Sequence, residues 1–207
     1  MKLKELESIL QDCQVFEEPK IQYEQYPTTP HLAARMLYTA DTVYNDIEDR
    51  AIADFGSGCG ILGIAANILG AGSVAGFDID PDAIKIALQN CNEFEVEVDY
   101  VNVDLCTANL EGLKGKIDTV IMNPPFGTKN NKGIDMLLLK KAIDVATTSV
   151  YSLHKTSTRE HIEKKAKEWG VTVEVVAAMK FDVPMMYKFH KKKNVEIQVD
   201  FLRFEKA

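Results

Sequence analysis

The chain has 207 residues, of which 46% are hydrophobic and 27% charged, with a net charge of −7. A chain this long can bury roughly 70% of its unfolded surface in one domain, and no apolar run reaches the ~20 residues of a membrane span. The charge is divided: residues 1–124 hold 8 Lys/Arg against 21 Asp/Glu, a balance of −13, while residues 125–207 hold 16 against 10, a balance of +6. The acidic total speaks against a nucleic-acid partner and the basic second part speaks for one.

Residues 2–13 alternate charge with Leu and Ile at helical spacing and lack the apolar centre of a signal peptide, so an intracellular protein is expected. EEPKIQYEQYPTTP reads as an irregular entry segment, and TPHLAARMLYTADTVYNDI as a helix with Pro30 in its first turn. A strand–helix rhythm follows: strand AIADF, helix GILGIAANIL, strand SVAGFDID, and a helix from Pro81 through about Phe94. VEVDYVNVDL alternates as a strand does, and KIDTVIMN is a nearly all-apolar strand covered on both faces. GIDMLLLKKAIDVA predicts a helix, SVYSLH a strand, and STREHIEKKAKEW a helix opened by the capping box Ser157-x-x-Glu160. VTVEVVAAMKF and VEIQVDFLRFE close the chain as two strands with no helix between them, hence a hairpin with one antiparallel strand at or near an edge. There is no repeat, low-complexity tract or linker, so residues 1–207 form a single domain: an entry segment over 1–50 and an α/β core over 51–207. Cys13, Cys59, Cys91 and Cys106 are scattered without a CxxC pair, which predicts neither a zinc site nor a disulfide framework, and fits a reducing compartment.

The first core strand runs into Asp54-Phe55-Gly56-Ser57-Gly58-Cys59-Gly60. Glycines at alternate positions remove Cβ atoms where a chain turns and a ligand must approach backbone. The spacing is G-x-G-x-G, not the G-x-G-x-x-G that cradles a pyrophosphate, which suits a nucleoside without one. Asp78 ends the second strand 22 residues beyond Gly56, where an acid can accept both ribose hydroxyls. Asp80 precedes Pro81 at a helix start and reads as an N-cap. Asp104, after the third strand, is placed either to accept from an adenine amino group or as a turn residue.

The fourth strand stops at Asn123-Pro124-Pro125-Phe126, on the same carboxyl rim as the acids and the glycine loop. Rigid prolines hold the Asn123 carboxamide and the Pro124 carbonyl as two acceptors for one planar amino group. Accepting both hydrogens aims the nitrogen lone pair at an electrophile, and Phe126 offers a face for an aromatic ring. Positioning supplies much of the rate for such an attack, and no strong base is needed before it. No nucleophile–base pair and no metal cluster accompanies these residues in the sequence.

Together they resemble the class I S-adenosylmethionine-dependent methyltransferases, in the amino-methylating branch that carries Asn/Asp-Pro-Pro-Phe/Tyr/Trp. The resemblance spans nearly the whole chain. It is sharpest to the adenine-specific rRNA methyltransferases through MNPPFGTKNNKG, YSLHK, STREH, YKFHKKK and Tyr23-Glu24-Gln25-Tyr26-Pro27-Thr28. Tyr23, Phe55 and Ser57 depart from the Leu, Leu and Cys expected in those strings. The resemblance implies a Rossmann-like sheet of about seven strands, mostly parallel with one antiparallel strand. It implies methylation of the 6-amino group of one adenosine in small-subunit (18S) rRNA, in the nucleus or nucleolus and the cytoplasm. It also implies heterodimer formation with a small zinc-containing activator subunit. Carried over by motif, Gln25, Thr28, Gly56, Gly58, Cys59 and Ile61 would contact S-adenosylmethionine with Asp54, Asp78 and Asp104, and Asn123 to Phe126 would hold the target base.

A base within a duplex cannot enter such a pocket, so single-stranded or extruded RNA is expected. Its phosphates would meet Lys129 and Lys132 just past the motif, and Lys188, His190, Lys191, Lys192 and Lys193 between the last two strands. Strand Val96–Val103 would lie at the sheet edge, where alternating Val and Tyr invite pairing with the activator subunit. Two other functions fit parts of this pattern: methylation of a protein glutamine amide, and an inactive methyltransferase fold acting as a scaffold in ribosome assembly.

Overall fold

The computed structural model describes residues 1–127, 131–184 and 194–206. A seven-stranded sheet organises them, with strands β1 (Ala51–Phe55), β2 (Ser73–Asp78), β3 (Asp99–Asn102), β4 (Ile117–Met122), β5 (Ala146–Lys155), β6 (Val171–Pro184) and β7 (Asn194–Lys206). Their order is β3-β2-β1-β4-β5-β7-β6. Strands β1 to β5 pair in parallel, and β7 runs antiparallel between β5 and β6. The mostly parallel sheet with one antiparallel strand is the one expected. The chain winds outward from β1 to β3 and then reverses to β4, which opens a crevice between the carboxyl ends of β1 and β4.

Period-two alternation sends each strand's side chains to two different layers. Ile52, Val74, Ile121, Tyr151 and Phe201 face helices α1 (Leu3–Leu10), α2 (Pro30–Thr42), α3 (Ile61–Ile68) and α4 (Pro81–Phe94). Phe55, Val120, Met122, Val150 and Phe204 face α5 (Ile134–Val145) and α6 (Arg159–Glu168). Both faces being covered, β1 and β4 are apolar almost throughout.

Local chemistry sets most boundaries. Thr29 caps α2, accepting from Leu32 N at 3.3 Å, and Pro30 follows it. Asp80 caps α4, accepting from Asp82 N at 3.1 Å, with Pro81 next. Three boundaries differ from expectation. Helix α2 stops at Thr42, because Asn45 turns left-handed (φ 57) and carries the next acid, Asp46, into the core. Strand β3 is shorter than the 96–105 alternation suggests, since Val96 N returns to Cys91 O to close α4 and Val98 is buried. The Ser157–Glu160 capping box does not form. Helix α6 begins at Arg159 after a 3-10 turn and has no side-chain cap. Arg159 is instead held by two parallel bonds to buried Asp200, Nε to Oδ2 and Nη2 to Oδ1, both 2.7 Å.

A buried polar knot ties the α2–β1 connection to the sheet. Asp46 Oδ2 accepts from Tyr151 OH (2.7 Å) and Arg203 Nε (3.0 Å), while Thr119 Oγ1 donates to Asp46 O (2.9 Å). The Arg203 guanidinium also lies 4.6 Å from the Tyr44 ring centre. Removing the acid would take the shielded partner from the Arg203 cation, leaving it Glu205 at 2.7 Å, and the acceptor from the Tyr151 hydroxyl, which would keep only the bond it receives from Arg203 Nε at 3.0 Å. Asp46→Ala is therefore expected to cost about 3 kcal/mol of stability in urea titration, whereas a loss under about 0.5 kcal/mol would show the knot to be unimportant.

Candidate active site

The crevice holds a cavity of about 180 Å³. Its walls are the entry segment (Cys13 to Phe16 and Gln22 to Thr28), the turn after β1, and the ends of β2, β3 and β4. Of the residues proposed from sequence, Gln25, Thr28, Gly56, Gly58, Cys59, Ile61, Asp78, Asp104, Asn123 and Pro125 line it.

The turn after β1 takes left-handed φ at Gly56 (74), Gly58 (52) and Gly60 (89). Gly56 N and Ser57 N both donate to Phe77 O, at 2.8 and 3.1 Å, so the loop is fastened to β2. A Cβ at Gly60 would sit 2.4 Å from the Tyr100 hydroxyl, a clash that reserves the site for glycine. Nothing lies within 4 Å of a Cβ built on Gly56, which leaves open space against backbone for a ligand.

The acids divide by role. Asp78 Oδ2 accepts from Gly58 N and Oδ1 from Asp80 N, each at 2.8 Å. Burial raises its pKa against the pull of those two bonds. One backbone bond per oxygen leaves acceptor capacity toward the cavity. Asp104 forms a turn, with Oδ1 accepting from Cys106 N at 2.8 Å and Oδ2 from Thr107 Oγ1 at 3.2 Å, and it also lines the cavity. Asp80 is the expected N-cap and more: it accepts from Lys20 Nζ and from Gln25 Nε2, both at 2.6 Å, which straps the entry segment to α4.

Asp54 is a correction. It does not line the cavity but lies fully buried toward α3, where Oδ2 accepts from Gly63 N at 3.1 Å and Oδ1 meets no partner among the described residues. Alternation along β1 turns its side chain away from the layer that holds Phe55. Burial pushes its carboxyl up to about 7, opposed by the Gly63 bond and helped by the nearby charge of Asp78.

At the end of β4, Asn123 Nδ2 donates to Thr28 Oγ1 at 2.9 Å. Its Oδ1 is buried and accepts from no described residue. Pro124 is buried and Pro125 lines the cavity. Phe126 departs from its expected place: its ring packs edge-on against Phe181 of β6, centres 5.7 Å apart at 78°, and is not part of the lining. Lys132 is exposed near the motif. Lys129, Lys188, His190, Lys191, Lys192 and Lys193 lie outside the described residues.

Two asparagines escaped the sequence reading. Asn131 is buried and donates from Nδ2 to Gln22 O (3.1 Å) and Glu24 Oε1 (3.0 Å), joining the segment after the motif to the entry segment. Asn90 grips Gln14 through N (2.8 Å) and O (3.0 Å) and donates to Cys59 O (2.8 Å), closing the other end of the entry segment over the glycine turn. Both are single polar residues whose partners are remote in sequence, and Asn131 sits in a Lys-Asn-Asn-Lys run that reads as a basic surface.

The model of the ribosomal protein L11 methyltransferase (PrmA) family matches residues 26–124. The rRNA N(6)-adenosine-methyltransferase METTL5 of Danio rerio is 58% identical over 205 residues, covering 99% of each chain. The rRNA N(6)-adenosine-methyltransferase of Drosophila melanogaster is 48% identical, over 99% of this chain and 97% of the other. A crystal structure of a putative RNA methyltransferase from Pyrococcus horikoshii superposes with a TM-score of 0.88 at 35% identity, over 100% of this chain and 98% of that one.

Asp54 generates a pH prediction. Its folded pKa, about 7, lies above the unfolded value near 4, so ionising it costs stability that is absent below pH ~4 and complete above pH ~7. Asp54→Asn keeps an acceptor for Gly63 N and cannot ionise. Its stability relative to the unsubstituted protein should rise by about 2–3 kcal/mol between pH 5 and pH 8 in urea titrations. A difference that stays constant across that range would contradict the assignment.

Proposed function

The chain belongs to the family of rRNA N(6)-adenosine-methyltransferases, and from that membership we propose that it methylates the 6-amino nitrogen of one adenosine in small-subunit (18S) rRNA. A member of this family works with a methyl donor; the proposed donor is S-adenosylmethionine, which supplies a methyl group activated by its positive sulfur. The residues fit that group. The turn at Gly56 leaves backbone open to a ligand, Asp78 keeps acceptor capacity for ribose hydroxyls, and Asp104 stands at the cavity wall for the adenine end.

One observation carries the reading: a buried carboxamide oxygen at the start of Asn123-Pro124-Pro125-Phe126 that no described residue satisfies. Such an atom is costly to leave unpaired, at about 1–3 kcal/mol, and an incoming N–H repays it. The Asn123 oxygen and the Pro124 carbonyl accept the two hydrogens of the adenine amino group, which localises the nitrogen lone pair and holds it on the cavity side. The prolines fix both acceptors before the base arrives, so little reorganisation remains for the reaction itself. The proton leaves the nitrogen after attack, as that of an acidic ammonium. Phe126 would need its ring to serve both Phe181 and the base, edge to one and face to the other.

The same acceptor pair would suit a glutamine amide. Phe in place of Tyr at 126, the basic second part of the chain and the full-length kinship with rRNA enzymes favour RNA. Lys132, with Lys129, Lys188, His190, Lys191, Lys192 and Lys193, would supply the phosphate contacts. A scaffold without activity would have no use for the unsatisfied acceptor. The enzyme would act where the small subunit is made, in the nucleolus and cytoplasm.

The proposed activator subunit would add a strand at β3, one of the two edge strands of the sheet. Val101 on that strand is 43% exposed, in an otherwise acidic half of the chain.

With rRNA from cells lacking the protein as substrate, Asn123→Ala should lower kcat by about 10²–10³-fold while cofactor affinity by calorimetry holds. Nucleoside mass spectrometry detecting N6-methyladenosine at unchanged rates would refute the mechanism. Val101→Glu should abolish co-purification with the zinc-containing subunit yet leave the circular dichroism spectrum unaltered, and retained co-purification would move the partner to another surface.

A further inference from the structure

An asparagine side chain can accept from a substrate amino group only in one of two orientations, related by a half-turn that exchanges its oxygen and nitrogen. For Asn123 the Thr28 contact and the surroundings of the other amide atom together decide the choice. Nδ2 donates to Thr28 Oγ1 at 2.9 Å, and Oδ1 is left as the unsatisfied acceptor. A hydroxyl could also donate to a flipped amide. The flip, however, would bury two N–H donors where one oxygen now lies, with no acceptor for them among the described residues, and that costs more than the arrangement observed.

Resting on the function proposed above, we propose that Thr28 is a positioning residue for the methyl-accepting nitrogen: its hydroxyl sets the Asn123 carboxamide so that oxygen, not nitrogen, meets the target amino group. The motif-based expectation gave Thr28 to the cofactor. Its hydroxyl oxygen accepts from Asn123 Nδ2, and the residue lines the shared cavity as that expectation requires.

Thr28 is well anchored for this task. It is buried, follows Pro27, and precedes Thr29, which caps α2 through a bond to Leu32 N. Three residues upstream, Gln25 Nε2 bonds Asp80 Oδ2 at 2.6 Å, and Asn131 holds Gln22 and Glu24. The segment that carries the hydroxyl is thereby tied to α2, to α4 and to the chain following the motif. A shift of the entry segment would misalign the acceptor without touching β4.

The experiment compares Thr28→Val, which keeps shape and loses the acceptor, with Thr28→Ser, which keeps it. Each is assayed as the full chain for methyl transfer to rRNA from cells lacking the protein, for S-adenosylmethionine affinity by calorimetry, and for folding by circular dichroism. Thr28→Val should lower kcat about ten-fold, the share of misdirected carboxamide expected on losing one ordinary hydrogen bond, with cofactor Kd within about two-fold. Thr28→Ser should restore kcat to within about two-fold of the unsubstituted protein. Should Thr28→Val fail to fold, Thr28→Ala takes its place with the same expectations. Unchanged kcat overturns the inference, and so does a cofactor Kd that rises ten-fold while kcat holds, because Thr28 would then be a cofactor ligand. If the unsubstituted protein transfers no methyl to rRNA, the function on which the inference rests has failed instead.

Discussion

An unsatisfied acceptor in a shielded place is the constraint around which this molecule is arranged. A core strand normally ends where its last carbonyls can find water or a turn. Here β4 leads into Asn123, whose buried side-chain oxygen meets no donor among the described residues, and two stiff prolines follow it. The remaining structure keeps that atom where it is. The sheet reverses beside it, Thr28 engages its amide nitrogen, and the layers on both faces bury the strand that carries it. Such a group in the free protein asks for an explanation, and at Asn123, unlike at Asp54, the cavity beside it supplies one.

Asp80 shows how a residue of ordinary function comes to serve such a site. Its first duty is local, capping α4 as any Asp before Pro can. Burial opposes its charge, but the Lys20 and Gln25 bonds outweigh that cost and hold the carboxyl below its usual value. The same carboxylate therefore anchors a strap more than fifty residues away in sequence. Asn90 does the like near the other end, gripping Gln14 and Cys59 together. An entry segment without strand or long helix becomes a wall because side chains on α4 and beyond the motif hold it, not because its own backbone is regular.

The parts legible in the sequence are those written in short-range chemistry. The run AIADF before the glycine turn marked β1, Asp80-Pro81 marked the start of α4, and Asn-Pro-Pro-Phe marked the end of β4. The illegible parts depend on partners remote along the chain. Nothing near Ser157 foretells that Arg159 will grip Asp200 and so determine where α6 starts. Nothing near Asn131 distinguishes it from its exposed neighbour Lys132. Asp54 was misread for a related reason. Position two residues before a glycine locates an acid near the turn, but the pleat decides which layer its carboxylate enters, and that layer was α3 rather than the cavity.

The charge division of the chain acquires a spatial meaning once the strand order is known. The acidic part builds β3, β2 and β1 on one side of the reversal, and the basic part contributes β5, β7 and β6 on the other. Asn123 stands at the seam. An anionic polymer is repelled from the first side and attracted to the second, so the field alone would lay RNA across the hairpin half and leave the β3 edge to a protein partner. Phe126 gives that division a mechanical counterpart. Its contact with Phe181 makes β6, a strand of the basic half, the support of the ring beside the proposed target base. The packing of β6 therefore bears directly on the motif, while the cavity beside it is lined from both parts of the chain, by the entry segment and the glycine turn and by Pro125, Asn131, Ile134 and Leu138. Both parts of the chain meet at the end of β4, where the motif stands.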